Sequence, residues 1–110
     1  MSIHNDRPEI ETDVLERFLR YVRVHTTADR HSETTPSSSR QFDLARILEA
    51  ELRELGVHDV TVTDYGYVIA RIPAGRGVEA PAVAFLAHMD TAPDTTGEGG
   101  SPRVWKEYDG

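Results

Sequence analysis

Ala82-Val83-Ala84-Phe85-Leu86-Ala87-His88-Met89-Asp90-Thr91 is the stretch that decides how this chain folds. Its first six residues are apolar without alternation. Their number suits a strand, and continuous apolarity suits the centre of a sheet covered on both faces. Polar side chains follow at once, where the chain leaves the core. Open sheets bind ligands just outside the carboxyl ends of their strands. Residues two apart in extended chain point the same way, so His88 and Asp90 are expected on one side, with Met89 turned back towards apolar packing.

Working upstream, Asp64-Tyr65-Gly66 reads as a turn between a strand at Val60–Thr63 and a returning strand at Tyr67–Ile72. Before it, Leu44, Ile47, Leu48, Leu52 and Leu55 make one apolar stripe at helical spacing. Ser38 with Gln41 has the spacing of a capping box, and Gly56 stands where a left-handed C-terminal cap belongs. A helix over residues 40–55 is the clearest expectation. Residues 26–39 lack periodicity and read as a loop, longer than compact domains commonly carry. Val14, Leu15, Phe18, Leu19 and Val22 mark an amphipathic helix from Thr12 to about Val24, opened by Asp13 and Glu16. Residues 1–11 read as a flexible arm. Downstream, residues 73–81 carry two Gly and two Pro and read as a loop, residues 91–102 are rich in Thr, Pro, Gly and Ser, and Arg103–Tyr108 is expected as a short strand. The fold class is therefore α/β, with helices packed on a small mixed sheet. Two helices do not supply two covers for an apolar strand, so exposed apolar surface is expected.

With 110 residues, there is room for one small domain. A net charge of -7 argues against a nucleic-acid partner and an anionic membrane surface. No apolar run approaches the ~20 residues of a membrane helix, and the first ten residues lack a secretory signal. There is no cysteine, which excludes disulfides and thiolate metal sites. A cytoplasmic location is the expectation.

A neutral imidazole is a good zinc ligand, and its other nitrogen needs a carboxylate or carbonyl to fix the tautomer. His88 and Asp90 match that need. The same pair also serves to satisfy loop backbone groups where a strand ends, and spacing alone does not separate these readings. His4, His25, His31 and His58 lie near loops and element ends and read as solvated.

Phe18-Leu19-Arg20-Tyr21-Val22, Thr26-Thr27, Leu52–Val62, Ala84–Asp94 and Ser101-Pro102-Arg103-Val104 together resemble, in order, the peptidase T family of zinc tripeptide aminopeptidases. The resemblance runs from Leu15 onward and covers roughly the first quarter of a family member. Met89 stands where Val is usual. The resemblance implies an incomplete N-terminal portion, residues 1–110, of a di-zinc exopeptidase catalytic domain. His88 is implied as a ligand to one of two zinc ions and Asp90 as the adjacent catalytic carboxylate. The remaining ligands and the general base lie downstream in the family, so this chain alone is expected to be inactive. The implied substrate is a short peptide losing its N-terminal residue. A related metal-dependent deacetylase or exopeptidase, and a non-catalytic α/β module, are the alternatives.

Overall fold

The computed structural model describes residues 7–110. Its elements are α1 (Arg7–Tyr21), α2 (Gln41–Glu54), β1 (Asp59–Val62) and β2 (Val68–Arg71). The chain is thus α/β, and the two strands pair antiparallel with Asp59 opposite Arg71 and Val62 opposite Val68.

Helix α2 follows its stripe in part: Leu44 is buried, Ile47, Leu48 and Leu52 are half-buried, and Leu55 at the end is exposed. Ala45, off the stripe, and Val60 of β1 are buried with Leu44. The helix packs on both strands, and Arg53 Nη2 donates to the Val60 carbonyl at 2.7 Å. Its C-terminus closes as expected. Gly56 has φ of 87°, a conformation that costs residues with a Cβ. Val57 N–H reaches the Leu52 carbonyl at 3.0 Å and Gly56 N–H the Arg53 carbonyl at 2.9 Å, the paired bonds of a Schellman motif. The N-terminus differs from expectation. Arg40 is the N-cap and makes no side-chain cap bond. The Gln41 amide is instead drawn to the preceding loop, where it donates to the Thr26 carbonyl at 3.4 Å.

Helix α1 begins at Arg7 rather than Thr12. Residues 7–11, expected in the arm, are helical, and residues 1–6 with His4 lie outside the described residues. A proline at position 8 costs no intrahelical bond, because the first four N–H groups have no partner there. Glu9 in the first turn suits the positive end of the helix. Asp13, expected at the cap, lies inside the helix and pairs with Arg17 at 2.8 Å, one turn on. The apolar residues Ile10, Val14 and Phe18 stay exposed. Polar groups tie α1 to α2. The Glu51 carboxylate receives Arg17 Nη1 at 2.5 Å, Arg20 Nε at 2.8 Å and the Tyr21 hydroxyl.

The largest departure is at residues 82–87. They form no strand and pair with nothing in the sheet. Val83, Phe85 and Leu86 are 80%, 96% and 92% exposed. A strand forms only where another backbone completes its hydrogen bonds, and among the described residues β1 and β2 pair with each other alone. Residues 103–108 likewise form no strand, and Glu107 takes a positive φ of 56°. The accessible surface is 9791 Å², against about 6,100 Å² for a closed globule of this mass. The radius of gyration is 17.2 Å, where about 13 Å is usual for this length. The isolated 110-residue polypeptide is therefore expected to self-associate, and Phe85→Lys with Leu86→Lys to relieve it. Sedimentation velocity reads this directly. A monomer with a sharply cooperative melt would contradict it.

Candidate active site

The segment after residues 82–87 is anchored although that stretch is not. Thr27 and Thr91 form a parallel bridge. Ala28 N–H donates to the Thr91 carbonyl at 2.9 Å, and Thr91 N–H donates to the Thr26 carbonyl at 3.3 Å. Thr26 is buried, 3% exposed. The loop expected at residues 26–39 is thus an ordered support for the chain just beyond Asp90.

The alternation expected at the site is present. His88 and Asp90 are exposed, and Met89 between them is half-buried. The side chains of His88 and Asp90 converge. His88 Nδ1 lies 2.8 Å from the Asp90 carbonyl and 3.3 Å from Asp90 Oδ1. A carbonyl oxygen only accepts, so Nδ1 carries the proton and donates. The lone pair is left on Nε2, and the His88 side chain is 85% exposed. Metal-ligating imidazoles are commonly held in this way, with one nitrogen bonded to an oxygen and the other turned out. The carboxylate of Asp90 is 48% exposed and stands beside the ring.

Both residues border a cavity of about 460 Å³. Tyr65 and Tyr67, from the turn between β1 and β2, line it together with Pro36 and Gln41. Among the described residues, no group of three His, Cys, Asp or Glu side chains is placed to hold a metal. His25 and His31 line a separate polar cavity, and the His58 carbonyl accepts from Arg53 at 3.4 Å. The contact between His88 and Asp90 is one that their spacing implies. The hydrogen bonds of Thr26, Thr27 and Gln41 carry no signal in the sequence, because their partners lie up to 70 residues away.

No protein-family model matches the chain. Curated proteins do. Peptidase T of Geobacillus kaustophilus (strain HTA426) is 46% identical over 101 residues, which is 92% of this chain and 25% of that protein. Peptidase T of Clostridium acetobutylicum is 45% identical over 98 residues, 89% of this chain and 24% of that protein. Peptidase T of Listeria monocytogenes serotype 4b (strain F2365) is 43% identical over 101 residues. The chain is a relative of peptidase T. It spans about a quarter of the length of these curated relatives. Among the described residues, no helix is long and apolar enough to cross a membrane.

Proposed function

We propose that this chain serves a metal-dependent aminopeptidase that releases the N-terminal residue of short peptides, tripeptides among them. The observation that carries the reading is the His88 ring, fixed at Nδ1 by Asp90 with Nε2 open beside a cavity. The 46% identity to a peptidase T supports it.

His88 is the zinc ligand in this reading, and Asp90 is the active-site carboxylate beside it. The donor types fit: zinc takes imidazole nitrogen and carboxylate oxygen. A catalytic zinc takes about three protein ligands, so the rest of the set for two ions comes from the part of a peptidase T that this chain does not span. Bound zinc polarises a peptide carbonyl and lowers the pKa of water. The residues of this chain act around that chemistry. Asp90 holds the His88 tautomer that leaves Nε2 free to bind. Its second carboxylate oxygen is available to a proton or an amine in the cavity. Tyr65 and Tyr67 wall the space a peptide enters.

The test is hydrolysis by the full polypeptide that carries this chain. Tripeptides with a free amino terminus should lose their first residue. A chelator should stop the reaction and zinc should restore it. Hydrolysis indifferent to chelator would overturn the metal. Preference for N-acetylated substrates would overturn the aminopeptidase in favour of a deacetylase.

A further inference from the structure

We propose that Thr27 is a positioning residue for His88, acting through the peptide unit between Asp90 and Thr91; the proposal rests on His88 as the zinc ligand. A peptide unit is one rigid plane. The carbonyl on one side of this plane accepts from His88 Nδ1 at 2.8 Å. The N–H on the other side donates to the Thr26 carbonyl at 3.3 Å. Turning the plane breaks both bonds together, so whatever fixes Thr91 also fixes the imidazole tautomer.

The Thr27 side chain adds to the backbone bonds that hold Thr91. Its Oγ1 accepts the Gly97 N–H at 2.7 Å and lies 3.3 Å from Thr91 Oγ1, which donates to it. The loop from Thr91 to Gly97 is thereby closed on a single hydroxyl. The approach needs glycine, because a Cβ at position 97 would stand 2.9 Å from Thr27 Oγ1. Gln41 completes the support. Its amide donates to the same Thr26 carbonyl that holds Thr91, and both residues are buried. His88 itself is largely exposed, so nothing packed around the ring sets its orientation. The chain of bonds behind it does.

The experiment follows the full polypeptide labelled with ¹⁵N-histidine. Imidazole nitrogen shifts report which His88 nitrogen carries the proton, and competition with a chromophoric chelator reports zinc affinity. Thr27→Val keeps the side-chain shape and removes the hydroxyl. It is expected to move His88 from the Nδ1–H form towards a mixture and to weaken zinc binding severalfold, less than the roughly 10- to 100-fold that follows loss of the orienting partner itself. Thr27→Ser should restore both. Gln41→Met, which removes only the amide, should act in the same direction and serves if Thr27→Val does not fold. An unchanged tautomer and zinc affinity in the folded variants would overturn the positioning role. Failure of the wild type to take up zinc would instead overturn the peptidase reading on which the role rests.

Discussion

Replacing His88 by alanine in the full polypeptide is expected to lower peptide hydrolysis by about a thousandfold or more, with loss of one zinc ion. The size follows from what a metal supplies: charge stabilisation in the transition state worth several kcal/mol, with every 1.36 kcal/mol a factor of ten. The fold should not suffer. The His88 side chain is 85% exposed and, among the described residues, its hydrogen bonds run to Asp90 alone. The measurements are kcat/KM on a tripeptide, zinc per chain by atomic absorption, and a thermal melt. A variant that melts as the wild type, holds less zinc and hydrolyses nothing is the expected result. Full activity in His88→Ala would remove the residue from the mechanism. Asp90→Asn should be milder in metal binding, because its backbone carbonyl still receives Nδ1 at 2.8 Å.

The second large effect lies away from the site. Glu51→Ala is expected to destabilise the chain by about 2–3 kcal/mol, the range for hydrogen bonds to charged groups and the loss of one partner of a charged cluster. Glu51 is the common acceptor for Arg17, Arg20 and Tyr21, and its side chain is only 12% exposed. Arg20 is half-exposed and regains water when the carboxylate is removed, which limits the loss. Burial pushes the Glu51 carboxyl up, but hydrogen bonds from Tyr21, Arg20 and Arg17 outweigh it and hold the group below the ordinary glutamate range. Burial, with the proton it donates to Glu51, pushes the Tyr21 phenol up. Because the folded carboxyl titrates below the unfolded one, its stabilisation is complete above the unfolded value of about 4.3. It is lost as pH falls through the lowered folded value. Urea unfolding from pH 7 down to pH 2.5 should show the gap between wild type and Glu51→Gln closing in that acidic window. A gap independent of pH would show that the carboxylate charge does not hold α1 in place.

Local elements were legible because their causes are local. The stripe from Leu44 to Leu52 and the glycine at 56 gave α2 and its cap, and both are where periodicity and left-handed φ require them. The β1–β2 hairpin followed from two short runs around a turn. His88 and Asp90 were legible for a similar reason. Two residues apart in extended chain, they share a side, and their contact spans only those three positions. Errors came where a cap competed with a tertiary bond. Ser38 and Gln41 had the spacing of a capping box, but the Gln41 amide found the Thr26 carbonyl instead. Asp13 had the spacing of a helix start, but the helix already ran from Arg7.

The stretch at residues 82–87 shows the limit most clearly. Its composition states a need for cover, and composition cannot supply the cover. Here Phe85 and Leu86 remain in solvent, because a strand's backbone is satisfied only by another strand. By itself, the sequence determined the two helices, the hairpin and the juxtaposed imidazole and carboxylate, all set by torsions and spacing within a few residues. Only the tertiary structure decided that Thr26 and Thr27 hold the far side of the Asp90–Thr91 peptide, and that Glu51 gathers α1 onto α2. Those contacts join residues 30 to 70 positions apart, and a hydrogen bond across that distance depends on where the intervening chain places its ends.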